Sequence, residues 1–586
     1  MGTLLGYKVH HEDPVFKVPQ ATKALPANAA RLRNIIHVSN HIMSHILHFY
    51  HLVALDYVKP TVHLGGGTFS DINRPFLAPR YDDNYYINDA RILAIVGTGL
   101  VPGPAVAVLT TLPGVGPAPG YVGIGNAVNA YLVGQYLKAL DIRRMCHEMQ
   151  AIFSGRAPQC NGWTPGGATT SFQQADINNY QAMLNQVKAF VGEPLDFATG
   201  KAGTMMFDVV AAAHLFPEYF WIGNSYGHFM AYGWGEEAGT IALSEAYPGN
   251  FATLFVNMPN SSGDNRASAR GYKMSAQTGA ALNAIDIKLL GESIANSRYQ
   301  KVGLNYPNGD PFRHPWLGKT YPVPTNEYSW LKSPRYNVGG TFNLGTLQVD
   351  GGTWHVFEVG PLARMVVAGA YFAGILNVAG YPIAPVWGSA GPNLSTGSGH
   401  PLESVYAAIP GVTGGPNLSG VAYTGDSVLD RIAARAIETR LMIDMAQHFL
   451  GQLAGTIGVD GYGTTGITDP KVPVVSQVFR GYGMTEASRG ALGHWIAAKN
   501  GKIDLYQAIV PTTWNASPRD VNNNEGPAER SLQGTGPADS TWVANPAEPI
   551  ELPRVTHSYD FCIACAVHLI TPKGDVVKVD VPALPG

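Results

Sequence analysis

Residues 34–57 read NIIHVSNHIMSHILHFYHLVALDY, a run with no glycine and no proline, and Pro60 stands just past its end. The chain of 586 residues carries 68 Gly and 42 Pro, so an unbroken stretch of this length is unusual in it and predicts a helix of about six turns. Further helices are predicted over 127–154, 285–299, 362–378 and 427–453; in the last, ETRLMIDMAQHFLGQL keeps apolar residues at steps of three and four. Short strands are expected over 347–359 and 502–510. Connections rich in Gly, Pro and Asn, such as 388–425 and 522–549, are long enough to wrap over neighbouring surfaces. No fixed-period repeat and no sharp linker divides the chain. The expectation is one domain over 1–586, mainly α with small β-sheets, an α+β class.

Apolar residues make up 45% and charged residues 14%, enough for a large buried core. A formal net charge of -3, with no run of like charges, offers no basic field, so no nucleic acid partner is expected. Four cysteines cannot build a dense disulfide framework. The N-terminus, MGTLLGYKVHHEDPVFKVPQ, lacks the basic start and apolar stretch of a secretory signal. Two apolar segments, 92–116 and 365–387, are broken by Pro102, Pro104 and Pro113 in the first and by Asn377 and Pro382 in the second. Both read as buried core rather than as a transmembrane helix.

Two clusters carry metal-binding chemistry. His37, His41 and His45 repeat at i, i+4, i+8, with His48 and His51 following at three-residue steps, so most of them share a broad helix face. A pair at i, i+4 can grip one metal; equally, histidines pack on a buried helix and bond to backbone or carboxylates. Near the other end, DFCIACAVH places Cys562 and Cys565 in C-x-x-C spacing with His568 three residues on. Two thiolates and an imidazole within reach of one soft cation suit a structural zinc site, a thioredoxin-like redox pair, or a redox metal site shared with a second thiolate pair. Spacing alone leaves the three open.

The tail resembles the large subunit of nickel-iron hydrogenases, whose C-terminal signature reads D-P-C-x-x-C-x-x-H. The likeness extends over most of the chain: LRNIIHVSNHIMSHILHFYHLVALDYV, HEMQAIFSGRAPQCNGWTPGGATT, EYSWLKSPRY, EVGPLARM, TEASRGALGHW and VPTTWNASPRD each resemble a family segment, in family order. HFYHL, RGALGHW and VPTTWNASPRD point to the membrane-associated respiratory uptake branch. The resemblance implies a bundle of long central helices around a nickel-iron centre with CN and CO ligands on iron. By the same resemblance Cys562 is a terminal nickel ligand and a candidate proton acceptor, and Cys565 bridges nickel to iron. The resemblance likewise matches Arg489 to the arginine over the open face of the metal pair and Asp560 to the carboxylate that pairs with it. It matches Thr512 to the hydroxyl that hydrogen-bonds an iron cyanide, and His568 to a ligand of a magnesium-like ion.

Departures accompany the matches. The family's first motif, R-x-C-G-x-C, has no counterpart, and neither Cys146 nor Cys160 sits in a C-x-x-C. Ser44 stands where the family has the aspartate that helps hold the arginine; Ser488 and Phe561 replace two prolines. The resemblance then implies one of three things. A split large subunit would draw its missing thiolate pair from a separate small chain. An inert relative would serve as a structural subunit without nickel. A mistaken or shortened start would have removed the motif, although residues 1–24 do not resemble the family at that place. The first implies H2 oxidised to protons and electrons, with the electrons leaving through the iron-sulfur clusters of a small subunit toward a membrane cytochrome or another acceptor. Association with a membrane would then be through partners, on the periplasmic or outer face, with export by the partner's signal. Residues 569–586 resemble the cleavable maturation extension of the family.

Overall fold

The fold is that of a computed structural model, which describes residues 27–56, 121–157, 160–164, 167–192, 205, 208–209, 219, 222–233, 271–274, 283–300, 312–317, 321–323, 327–343, 345–367, 426–457, 479–500, 502–533, 551–562, 569–570 and 576–577. Four long helices form its larger part: α1 (Ala27–His48), α2 (Tyr121–Ser154), α3 (Gln174–Val191) and α5 (Val428–Ala454), with the short α4 (Pro361–Val367) preceding α5. The unbroken run in α1 begins at Ala27 and gives way to a π-helical turn (Phe49–Val53) and a 3-10 turn (Ala54–Asp56). α5 starts at a capping box. The Ser427 side-chain oxygen accepts from the Asp430 backbone N–H at 3.2 Å, and Asp430 Oδ2 accepts from the Ser427 N–H at 2.9 Å.

α1 packs against α2 and α5, and α3 lies against α2 and α5. Their facing side chains, Leu32, Ile35, Ile42 and Ile46 of α1 with Met149, Leu184, Ile432 and Leu441 among others, make one apolar core. A second, aromatic core holds Tyr232, Tyr272, Trp316, Tyr336, Phe357, Trp495 and Trp514. Around it lie the antiparallel pair β1 (Phe229–Ala231) and β2 (Gly271–Lys273) and two antiparallel three-stranded sheets. In one, β4 (Ser333–Val338) is central, flanked by β3 (Leu290–Ser293) and β5 (Thr353–His355); in the other, β7 (Gly490–Lys499) lies between β6 (Phe479–Ala487) and β8 (Lys502–Ile509). Val359 belongs to the aromatic core and Leu362 to the helical one, so α4 enters at the seam between them.

The expected helices over 34–57, 127–154 and 427–453 are found, and 502–510 is a strand as expected. The expected strand over 347–359 is two short strands, Gln348–Asp350 and Thr353–His355. Of 362–378, Pro361–Val367 is helical and the remainder lies outside the described residues, as do all of 92–116, most of 365–387 and all of 388–425. The expected helix over 285–299 is a correction: it holds a 3-10 turn (Ile287–Leu289) followed by β3. Asp286 caps the turn by accepting from the Lys288 N–H, and Gly291 leaves room for the Trp354 ring, which a Cβ there would meet at 2.5 Å. The apolar spacing of Ile285, Leu289 and Ile294 imitates a helix while serving a strand packed against β4. Among the described residues no helix is long and apolar enough to cross a membrane.

Candidate metal centre

The terminal motif is delivered by α8 (Glu551–Ser558), a short helix whose Pro553 lies in the first turn, where no intrahelical N–H is required. Arg554 of α8 donates to the Asp56 carbonyl at 2.8 Å, and the His557 carbonyl accepts from His48 Nε2–H at 2.6 Å, so α8 is tied to the far end of α1. Beyond it the chain turns at Asp560, which is buried, and reaches Cys562, which is partly exposed. Cys565 and His568 lie outside the described residues.

Arg489 comes to this turn from the β6–β7 hairpin. Ala487 pairs with Gly490, leaving Ser488 and Arg489 as the two-residue connection. Gly490 has φ +134, and a Cβ there would lie 2.7 Å from the Gly360 nitrogen, so the hairpin tip rests directly on the backbone that leads into α4. Arg489 Nη2 reaches Asp560 Oδ1 at 3.0 Å. The Cys562 N–H donates to Thr512 Oγ1 at 3.0 Å; Thr512 is buried in α6 (Pro511–Asn515). The structure thus brings together four of the expected site residues: Cys562, Asp560, Arg489 and Thr512.

A second cation faces the same carboxylate. Arg435 of α5 is buried, with Nη2 4.0 Å from Asp560 Oδ2 and Nη1 donating to the Ser558 carbonyl at 3.4 Å. Burial pulls its pKa down to about 10, against the pull of Asp560. Burial also opposes the charge on Asp560, but His48, Arg489 and Arg435 outweigh it and hold the carboxyl below the ordinary aspartate value. Burial lowers His48 itself to about 3, so it is neutral at physiological pH and the two guanidiniums carry the effect there.

Sequence reasoning did not find the group that sets the hairpin. Arg364 of α4 uses all five N–H donors. Nε and Nη2 each reach Glu438 at 2.6 Å, Nη1 reaches Glu486 at 2.8 Å, and Nη1 and Nη2 reach the carbonyls of Ala487 and Ser488 at 2.9 Å. His45 Nε2–H donates to Glu438 at 2.7 Å, and Glu486 accepts the Tyr232 N–H at 2.6 Å. One buried guanidinium therefore joins α1, α5 and the turn that presents Arg489. Against burial, the Arg364 charge holds Glu438 down to about 2; burial prevails at Glu486, whose pKa is pushed up to about 7. The one local sign was in α5, where Arg431, Arg435 and Glu438 recur at four- and three-residue steps among apolar residues; it marks buried charges without naming their partners.

The remaining expectations concern the histidines and the other cysteines. His41 donates through Nδ1 to the His37 carbonyl at 3.1 Å, and His51 through Nε2 to the Tyr136 carbonyl at 2.9 Å. With His45 on Glu438 and His48 on His557, the ladder serves helix packing, and among the described residues no three His, Cys, Asp or Glu converge on a metal position. Cys146 is buried in the helical core, and Cys160 accepts from Gln150 Nε2 at 3.4 Å. Burial pushes the Cys146 thiol well above its ordinary pKa, the reverse of what a metal-binding thiolate needs. Ser44 is buried, and Ser488 Oγ lies 3.5 Å from Asn40 Oδ1.

A family model described as nickel-dependent hydrogenase matches residues 7–71, 118–376 and 417–568. The uptake hydrogenase large subunit of Rhizobium leguminosarum bv. viciae is 26% identical over 594 residues, covering 95% of this chain and 84% of the relative. The hydrogenase-2 large chain of Escherichia coli strain K12 is 27% identical over 573 residues, covering 95% and 85%. Among solved structures, the reduced, active Ni-Fe-Se hydrogenase from Desulfomicrobium baculatum superposes with a TM-score of 0.57 at 26% identity, covering 93% of this chain and 83% of that one. With the mixed helix and sheet fold shared and the family match reaching from residue 7 to His568, which corrects the expectation that residues 1–24 do not resemble the family, the chain belongs to the nickel-dependent hydrogenases, oxidoreductases that act on H2, as a relative of their large subunits.

Proposed function

We propose that this chain is the large-subunit component of an uptake hydrogenase that oxidises H2 to two protons and two electrons, its nickel site completed by a thiolate pair from a separate small chain. The observation that carries the reading is the Arg489–Asp560 ion pair at 3.0 Å beside Cys562. The C-x-x-C fits one half of a nickel-iron centre. Cys562, with Cys565 after it in the sequence, offers two soft thiolates; Cys146 belongs to the helical core and Cys160 packs against it. When bound, the metal pair supplies the redox-active Lewis acid at which H2 is split.

The chain's own residues orient that chemistry. Arg489, fixed by Asp560 and still 31% exposed, presents a guanidinium that can polarise H2 or hold a base in line. The Cys562 thiolate is the candidate proton acceptor. Thr512 accepts from the Cys562 N–H, which leaves its hydroxyl hydrogen to donate to a cyanide on iron. His568 would hold a magnesium-like ion near the C-terminus. Four cysteines cannot also bind iron-sulfur clusters, so the electrons would leave through a small subunit, as hydrogenase large subunits normally pair with one, and then to a membrane cytochrome or similar acceptor. Association with the membrane would be through these partners, on the periplasmic or outer face. We read 1–586 as one domain, with 569–586 as a maturation extension.

A second reading, an inert structural subunit without nickel, draws on Ser44, Ser488 and Phe561, which differ from the residues the family signature carries. Replacement of Cys562 or Cys565 by Ala in the native complex separates the two. The proposal expects loss of nickel and of H2 oxidation in both variants; full nickel content and activity in either would remove the site assignment.

A further inference from the structure

Asp560 has φ +57, a left-handed conformation that is uncommon for residues with a Cβ and that Asp adopts more readily than most. The turn is closed by the Tyr559 N–H on the Thr556 carbonyl at 3.3 Å and the Asp560 N–H on the His557 carbonyl at 3.0 Å. These bonds fix where α8 ends. They do not restrain Phe561, the residue that links Asp560 to Cys562. In the family signature a proline stands there, and its ring would limit φ covalently. Phenylalanine imposes no such limit, so any restraint has to come from packing.

The packing is specific. The rings of Tyr559 and Phe561 lie nearly parallel, 9° apart, with centroids 5.5 Å from each other. Tyr559 is itself anchored. The Arg431 guanidinium carbon lies 3.8 Å from its ring centroid, Arg431 Nη2 donates to its hydroxyl at 2.6 Å, and Ser531 Oγ shares a further hydrogen bond with that hydroxyl at 2.6 Å. Arg431 is in turn gripped by both oxygens of Glu358 at 2.8 Å. Rigidity passes along this chain of contacts from α5 to the ring of Phe561. One residue later the Cys562 N–H meets Thr512, so the segment leading to the thiol is held at Phe561 and again at the Cys562 amide.

We infer that Phe561 is a positioning residue: its ring, stacked on the anchored Tyr559, holds the turn that sets Asp560 against Arg489 and aims the Cys562 thiol. The inference rests on the reading of Cys562 as a metal ligand for its purpose, and on the ring geometry for its mechanism. If Phe561 acted merely as an apolar filler of the core edge, leucine would replace it without effect. If the flat ring face is what matters, leucine fails and tyrosine succeeds.

Both variants, Phe561→Leu and Phe561→Tyr, are made in the intact complex. Metal-free complex, from cells grown without nickel, is treated with iodoacetamide and modification of Cys562 is followed by peptide mass; nickel-loaded complex is dialysed against EDTA and nickel loss is timed. Loss of a stacking contact predicts that Phe561→Leu raises the alkylation rate and the nickel-loss rate about threefold to tenfold, while Phe561→Tyr stays at the parent's values. Parent-like rates in Phe561→Leu, or equal impairment in Phe561→Tyr, would overturn the inference. A parent complex that never holds nickel would defeat the metal reading of Cys562, and the alkylation comparison would still decide whether the ring clamps the turn.

Discussion

Replacing Arg364 by methionine removes five hydrogen bonds at once while keeping an unbranched, helix-compatible side chain at the seam between the two cores. Glu438 is left with His45, and Glu486 with the Tyr232 N–H, both carboxylates buried. Deleting one partner of a buried ion pair costs about 3–5 kcal/mol, because the stranded charge loses its counter-charge and does not regain water. An unfolding entropy of roughly 2.1 cal/mol/K per residue over 586 residues makes this about a 2–4 °C fall in Tm, provided the chain unfolds as one unit. The assay is thermal unfolding of the purified complex followed by near-UV circular dichroism, with Arg364→Met beside Arg364→Met/Glu438→Gln. The double variant removes one stranded charge and is expected to be the more stable of the two, although it carries more changes. A Tm for Arg364→Met within 1 °C of the parent (about 1 kcal/mol by the same relation), or a double variant less stable than the single one, would refute the idea that this guanidinium holds the hub together.

Further predictions follow from the same geometry. The Glu486 carboxyl keeps its proton up to about pH 7 in the folded chain but loses it near pH 4.5 when unfolded; the folded state therefore binds more protons in between, and its stability falls as pH rises through that window. The fall is roughly 3 kcal/mol, and Glu486→Gln should flatten the urea-midpoint profile between pH 4.5 and 7; an unchanged slope would count against the shift. His48 has the opposite dependence: its folded pKa of about 3 lies below the unfolded value of 6.5, so stability is full above pH 6.5 and drains away as pH falls, and His48→Gln should unfold less readily near pH 4 than the parent does relative to pH 7. Gly490→Ala places a Cβ 2.7 Å from the Gly360 nitrogen at φ +134 and should cost roughly 1–3 kcal/mol by urea denaturation; a neutral substitution would mean the hairpin tip can move away from α4.

How much of this was legible in the sequence depended on the range of the interaction. α1 and α5 announce themselves locally, one by the absence of Gly and Pro and the other by apolar residues at steps of three and four. The β6–β7 hairpin does not: glycines at 481, 483, 490 and 493 interrupt the alternation that marks a strand, and in β7 Gly493 makes room for Trp495 and Met484 while Gly490 lets Val359 and Gly360 approach. The stretch after Ile285 misled for the complementary reason, since its apolar spacing suits either period. At the site, Cys562, Asp560, Arg489 and Thr512 were recognisable as motif residues, whereas Arg364, Glu438 and Glu486 come from three segments far apart in the chain. Their partnership exists only in the packed molecule, and no periodicity encodes it.

The central proposal is a nickel centre to which this chain contributes Cys562 and Cys565 and a companion chain a second thiolate pair. It is tested most directly by the metal content and subunit masses of the complex purified intact from its native host. The account predicts nickel and iron in the complex, together with a small companion chain that carries its own C-x-x-C. A complex with no nickel and no such companion would contradict it, and would leave Cys562, Asp560 and Arg489 as inherited parts of a fold that does not activate hydrogen.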